Sequence, residues 1–352
     1  MRTLPLLGDT YFMKQKILFL SVILISIISA FLLFSCDSDA IFYDIEQETP
    51  LDDPIVTGNV FYMVPLNGKL YVQNGKIFKK GFKENRNWQQ ISKPDGSFIA
   101  LASNEDTLYA LNTKKELWGC NPSNLNWKKI ADNVQALFDN GRYNDEDGTT
   151  AGRNAYYKKD SAVKKLSGLT EGSAVEEIKD CYKGSASICS AVYSSTLDKD
   201  LFSSTPSFVI TKLTTGESVK EFVYAAPRFV KTNSSVTNGS RTSAYADVSA
   251  LDTWKDAGSV DSSEYITCLA MKGTSTILAG TTNGFEVMYI SESGVPGNGS
   301  EPTGNEESSF GTREVCGLWV YGGVIYSAVA DESTSTYSKL WASYNGSTWN
   351  CE

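Results

Sequence analysis

The stretch LYVQNGKIFKKGFKENRNWQQI at residues 70–91 returns as LYALNTKKELWGCNPSNLNWKKI at residues 108–130. Leu70-Tyr71, Asn74-Gly75, Ile77-Phe78 and Trp88-Gln89-Gln90-Ile91 correspond to Leu108-Tyr109, Asn112, Leu117-Trp118 and Trp127-Lys128-Lys129-Ile130, offset by 38 to 40 residues. A looser copy runs from Ile325-Tyr326 through Leu340-Trp341 and Tyr344-Asn345-Gly346 to Trp349. Apolar segments precede the copies, Phe98-Ile99-Ala100-Leu101-Ala102 in one case and Cys316-Gly317-Leu318-Trp319-Val320 in another. Short apolar and aromatic runs broken by Gly and Asn read as strands joined by turns. Each unit is therefore four strands: an apolar one buried on both faces, one carrying Tyr, one carrying an aromatic, and a last one carrying Trp. That Trp is large enough to wedge between neighbouring sheets. A single unit would leave its apolar faces in water, so the pattern predicts sheets stacked on one another.

Other segments fit the same unit. Ile266–Met271, Ile277–Thr281 and Gly284–Met288 read as three strands, with Asn283-Gly284 as the tight-turn pair. Val134–Phe138, Ala155–Tyr157 and Val163–Leu166 give another; Ile188–Tyr193 with Phe208–Thr211, and Tyr245–Val248 with Trp254-Lys255, give two more. The whole resembles the β-propeller class over residues 55–352. That resemblance implies an all-β fold of about seven four-stranded blades, since a blade takes roughly 40–45 residues. Ser343-Tyr344-Asn345-Gly346-Ser347-Thr348-Trp349 is similar to the Asp-box turn of sialidase-type propellers, one residue shorter and with Asn for Asp. In that family the box is a structural hairpin away from the active site, and no counterpart of the family's arginine cluster stands in this chain. A pair of β-sandwiches is the competing fold.

The N-terminal region carries a different signal. Lys14 and Lys16 precede an uncharged apolar run from Ile17 to Phe34, then Ser35-Cys36 and the acidic Asp37-Ser38-Asp39. This is the layout of an export signal. Leu33-Phe34-Ser35-Cys36 resembles the lipobox of bacterial lipoproteins, with a bulkier Phe34 than the strict motif. The resemblance implies removal of residues 1–35, acylation of the Cys36 thiol, and a polar tether over residues 36–54. Met13 is the more natural start. The alternative is an uncleaved N-terminal membrane helix, since 18 apolar residues approach the roughly 20 of a span.

Composition narrows the chemistry. There is no histidine, which removes Ser-His-Asp and Cys-His nucleophile systems, histidine metal sites and imidazole acid–base catalysis. Carboxylate-pair hydrolysis stays open, with Asp106, Asp139, Asp247, Asp331 and Glu332 near loops. The net charge of −9 is concentrated at residues 231–352, where 14 Asp or Glu face 6 Lys or Arg. An acidic surface argues against nucleic acid. Besides Cys36 there are six cysteines, an even number that permits disulfides after export. Cys181 and Cys189 are close enough to staple a hairpin, while Cys268 and Cys316 lie in apolar segments as small buried residues. No zinc spacing occurs. Asn144-Asp145-Glu146-Asp147-Gly148 is similar to a calcium loop, but Tyr143 stands at the first ligand position and breaks the alternation.

The segments 139–152, 234–243 and 291–311 are polar and turn-rich and read as surface loops, the last as a mobile connection between blades. The expectation is a non-enzymatic binding or scaffolding propeller, lipid-anchored in a bacterial cell envelope, with no catalytic residue, metal or cofactor and with a protein partner. Exposed aromatics such as Tyr156-Tyr157 would supply contact area. The alternatives are a carbohydrate-binding or glycoside-cleaving propeller, which calls for a glycan partner, and an outer-membrane assembly factor.

Overall fold

Asn67-Gly68 turns the chain between its first two strands with both residues at positive φ, 52° and 68°. That type I′ geometry matches the twist of an antiparallel pair. Gly322-Gly323 does the same at 60° and 77° between two late strands. Hairpins of this kind set the whole architecture of the computed structural model. It describes residues 55–352 except 59, 61, 142–146, 161, 176–187, 194–198, 205–209, 213–221, 226–227, 233–239, 248–252, 303–312, 331–337 and 345–348.

The described residues form strands and turns, without a helix. The first sheet holds β1 (Tyr62–Leu66), β2 (Lys69–Gln73), β3 (Ile77–Gly81) and β4 (Gln89–Gln90). The second holds β5 (Phe98–Ser103), β6 (Leu108–Asn112), β7 (Leu117–Cys120) and β8 (Lys128–Ala131). A third, of seven strands, contains β9 (Val134–Asp139), β10 (Ala155–Lys159), β11 (Ala162–Ser167), β12 (Thr170–Ala174), β13 (Ile188–Tyr193), β14 (Lys199–Ser204) and β15 (Ile210–Lys212). The fourth holds β16 (Phe222–Ala225), β17 (Arg228–Thr232), β18 (Thr242–Asp247) and β19 (Lys255–Ser259). The fifth holds β20 (Ile266–Lys272), β21 (Thr276–Thr281), β22 (Gly284–Ile290) and β23 (Pro296–Ser300). The sixth holds β24 (Val315–Tyr321), β25 (Val324–Ala330), β26 (Ser338–Ser343) and β27 (Trp349–Cys351).

The four-stranded sheets are antiparallel meanders in chain order. Burial falls across a sheet. In the second, β5 and β6 are buried almost throughout while β8 is half exposed, and in the first both residues of β4 are exposed. The apolar segments at the head of each repeat are thus interior strands, and the last strands form the outer edge.

Sheets pack on their sequence neighbours. Val64, Leu66 and Tyr71 meet Phe98, Leu101 and Leu108 between the first and second sheets. Ala102, Tyr109 and Leu117 meet Leu137, Tyr157 and Leu166 between the second and third. Equivalent clusters join the fourth to the fifth and the fifth to the sixth. The sixth returns to the first, where Tyr326, Ala328 and Leu340 pack on Val72, Phe78 and Trp88. Both ends of the described region share that joint: the Val56 N–H donates to the Glu352 carbonyl at 3.1 Å, and Thr57 bridges Lys339.

Several expectations are corrected. The segments expected as two separate units, 134–166 and 188–211, are one hydrogen-bonded sheet, because β9 and β13 pair through Leu137–Val192 and Ala136–Tyr193. The segment 291–311 is not simply a loop, since β23 pairs with β22; likewise Thr242 and Ser243 of the segment 234–243 begin β18. In the fifth sheet Thr281 pairs with Gly284, so the turn residues are Thr282-Asn283, and Gly284, at φ 99°, starts the returning strand. Cys316 is exposed although its neighbours Val315 and Gly317 are buried, because alternate residues of β24 face opposite ways.

Candidate functional site

Cys36, the residues proposed for export and tethering, Cys181, Asp331 and Glu332 lie outside the described residues, as does the side chain of Cys189 in β13. Cys120, Cys268 and Cys351 are buried thiols and Cys316 an exposed one. Burial pushes the Cys120 thiol up to about 12, so it is packing material and no nucleophile.

The remaining carboxylates expected near loops are committed elsewhere. Asp139 Oδ2 accepts from Arg153 at 2.8 Å and from the Ser103 N–H at 3.2 Å. Asp247 accepts from Arg228 at 2.7 Å, and Asp106 from the Thr107 hydroxyl at 2.7 Å. Among the described residues these three are not brought into a facing pair. Tyr156 and Tyr157 are buried, which makes them core and not contact surface. Tyr344 and Trp349, at the two ends of the Asp-box-like turn, are likewise structural. Trp349 meets Phe285 edge-on at 5.7 Å, joining the fifth and sixth sheets.

A buried polar clasp closes the joint between first and last sheets. Lys80 Nζ lies 2.9 Å from Glu352 Oε2, both side chains without solvent exposure. The Trp88 indole N–H donates to the same oxygen at 2.6 Å, and the Tyr344 hydroxyl donates to Oε1 at 2.8 Å. The ammonium also sits 4.7 to 4.9 Å from the ring centres of Tyr326, Trp88 and Tyr344. Burial lowers the Lys80 pKa and the Glu352 carboxylate opposes that shift. The rings and the carboxylate fill the space around the cation, so this is a fastening.

An open cleft lies at the outer edge between the first two sheets. It encloses about 370 Å³ and is lined by Lys93, Asp95, Lys114, Glu116, Trp118 and Trp127, with Ser92 and Pro94 completing one wall. Trp127 is half-buried, its indole N–H donating to the Ser92 carbonyl at 2.7 Å. Trp118 comes from β7, where its neighbours Leu117 and Gly119 are buried and it turns partly outward. Glu116 accepts from Asn112 Nδ2 at 2.8 Å and Lys129 Nζ at 2.9 Å. Those two hydrogen bonds, Asn112 first, hold its carboxyl down at about 2. Glu116 is thus an anchored anion at neutral pH. Lys93 is spent on the carbonyls of Pro94 and Gly96. The side chains of Lys114 and Asp95, both exposed, make no hydrogen bond or ion pair among the described residues.

The repeat predicts the Trp positions and one use for them, as wedges. Trp88 follows that expectation, 4% exposed in the joint. Trp127, at the same repeat position, is likewise anchored through its indole N–H but stays only half-buried. Each indole N–H bonds the residue that follows the last strand of the preceding sheet, Glu352 after β27 and Ser92 shortly after β4. Around Trp88 the gap is filled by Lys80 and Tyr344. Around Trp127 it is left open, and no sequence signal distinguishes the two.

Comparison with known proteins adds a likeness at the level of fold and a lipoprotein family. A chain of the "Crystal Structure of Mitotic Checkpoint Complex" superposes with a TM-score of 0.50 at 10% identity, covering 82% of this chain and 94% of that one. It speaks to fold alone. Two uncharacterized lipoproteins of Treponema pallidum (strain Nichols) match shorter stretches. One is 29% identical over 80 residues, 23% of this chain and 16% of that protein; the other is 34% identical over 61 residues, 17% and 15%. The chain therefore spans only about a sixth of the relatives it matches. The model of the TP013X lipoprotein family matches residues 10–309.

Proposed function

The chain belongs to the TP013X lipoprotein family, and from that premise we propose that it is a lipid-anchored β-propeller serving as a non-enzymatic binding module of the bacterial cell envelope. Family membership places it among membrane-anchored lipoproteins. Cys36 is the acylated residue in this reading, because it alone joins an apolar run of export length to a polar segment.

Three features support the propeller. The sheets are meanders of short strands whose burial declines from first strand to last. Apolar faces pair between the first and second, second and third, fourth and fifth, and fifth and sixth sheets. The last sheet packs on the first, with residues from both ends of the domain in the joint. The seven-stranded sheet covers two of the repeat units in this reading, joined into one body by the β9–β13 pairing. Rings of this kind leave only short edges and present their rims to partners.

The observation that carries the binding reading is the cleft beside Trp127. It is concave, Trp127 and Glu116 in its walls are fixed by hydrogen bonds, and the side chains of Lys114 and Asp95 on its rim are unengaged among the described residues. A packed scaffold with an open, polar-rimmed site is built to hold something. Intact mass of the protein extracted from membranes tests the anchor: an acylated N-terminus at Cys36 is expected, and a Cys36→Ser variant should leave the membrane fraction. Photo-crosslinking from position 114 in cells tests the binding role. A discrete adduct supports it, and its absence with an intact anchor removes it.

A further inference from the structure

We propose that the cleft between the first two sheets binds a neutral saccharide unit, a conclusion that rests on the binding-module reading above. Its charges balance: Lys93 and Lys114 against Asp95 and Glu116. An anionic ligand such as a phosphate would meet two carboxylates, and a cationic one two ammonium groups, so neither sign of charge is favoured. What the cleft offers is a mixture of donors and acceptors around aromatic walls. Lys114 brings three N–H donors without a protein partner among the described residues, and Asp95 an uncommitted carboxylate. Glu116, already ionised by Asn112 and Lys129, keeps lone pairs beyond the two it uses.

Trp118 and Trp127 supply apolar wall to the same space. A flat ring with an apolar C–H face and a rim of hydroxyls, each able to donate and accept, matches that combination. Hydrophobic surfaces with a few placed polar groups are the usual make-up of small-molecule sites, which run from roughly 300 to 1,000 Å³. At about 370 Å³ the cleft is at the small end, suited to one or two sugar rings and not to a folded partner. Fixing Trp127 through Ser92 and Glu116 through two donors means little side-chain freedom remains to be lost on binding.

The test is a glycan array of neutral hexose, N-acetylhexosamine and sialylated oligosaccharides, probed with the full-length protein in detergent and followed by tryptophan fluorescence titration. The expected result is saturable binding to a neutral class, with no preference for sialylated members. Lys114→Ala and Asp95→Ala, both at the exposed rim, should each weaken it about five- to tenfold, as loss of a ligand hydrogen bond does. Trp127→Ala should abolish it, with circular dichroism showing the fold retained. A blank array at millimolar saccharide, or binding indifferent to the two rim variants, overturns the proposal. A blank array alongside a crosslinked protein adduct at position 114 overturns the saccharide while leaving the binding module standing.

Discussion

Lys80 in the third strand of the first sheet and Glu352 beyond the last strand of the sixth form an ion pair 2.9 Å long, sealed from solvent on both sides. They are 272 residues apart. Removing one member strands the other as an uncompensated buried charge, which typically costs about 3–5 kcal/mol. Lys80→Met should lower the stability of the domain by that much in urea denaturation. Lys80→Met combined with Glu352→Leu should recover part of the loss, since the paired charges contribute little net stability, and the recovery stays incomplete because the Trp88 indole N–H and the Tyr344 hydroxyl lose their acceptor. A single-variant cost under about 1 kcal/mol would mean that the pair behaves as a surface contact.

The Glu116 carboxyl gives a pH signature at the cleft. Its folded pKa, about 2, lies below the ordinary 4.5 because Asn112 and Lys129 hydrogen-bond its charged form. A depressed carboxylate stabilises the fold above the unfolded value and loses that contribution as pH falls through the folded one. Wild-type protein should therefore lose melting temperature between about pH 4.5 and 2, and Glu116→Gln should show a shallower decline over that window. Identical acid profiles for both proteins would count against this network.

Glu286 in β22 should respond in the opposite sense. It is 4% exposed, accepts the Asp261 N–H at 2.9 Å, and its Oε2 occupies the space a Cβ on Gly299 would need. Burial raises its pKa above the ordinary value; the Asp261 hydrogen bond opposes this, and the charges of Glu264, Asp261 and Glu301 add to the rise. A raised carboxyl contributes most below its unfolded pKa, and that contribution is lost as pH rises through the folded one. Glu286→Gln should therefore raise the melting temperature at pH 7 and leave it nearly unchanged at pH 4. A melting temperature lowered at both values would refute the assignment.

What the sequence reveals follows from where the determining contacts lie. The strand from Phe98 to Ala102 and the repeat of Trp88 at Trp127 are local or periodic, and local chemistry declares them. β23 reads Pro-Gly-Asn-Gly-Ser, a composition poor in strand formers, and it is a strand because β22 offers it hydrogen bonds. Tertiary context outweighs propensity there. The pairing of β9 with β13 joins residues 55 to 57 positions apart, in segments that each look like the start of a unit. Lys80 sits in Ile77-Phe78-Lys79-Lys80-Gly81 beside a second lysine, and alternation alone cannot say that its partner closes the domain. The cleft was half legible: aromatic positions were visible, but whether a Trp is covered depends on what the neighbouring sheet places beside it.

The joint between the fourth and fifth sheets offers a test by shape alone. Gly258 of β19 is buried, and a Cβ there would land on the carbonyl of Gly297 in β23. Two sheet edges approach this closely only where no side chain intervenes. Gly258→Ala must push backbone apart, not displace the end of a flexible side chain, so its cost should reach or pass the top of the roughly 1–3 kcal/mol typical of overpacking. Gly297→Ala is the control. Its Cβ would stand 3.4 Å from the Tyr289 carbonyl, an ordinary contact, at a backbone angle any residue adopts. Urea denaturation of the two variants should separate them by at least about 2 kcal/mol. Equal stabilities would mean that β19 and β23 do not touch, and with them would go the close contact on which the joint between these neighbouring sheets depends.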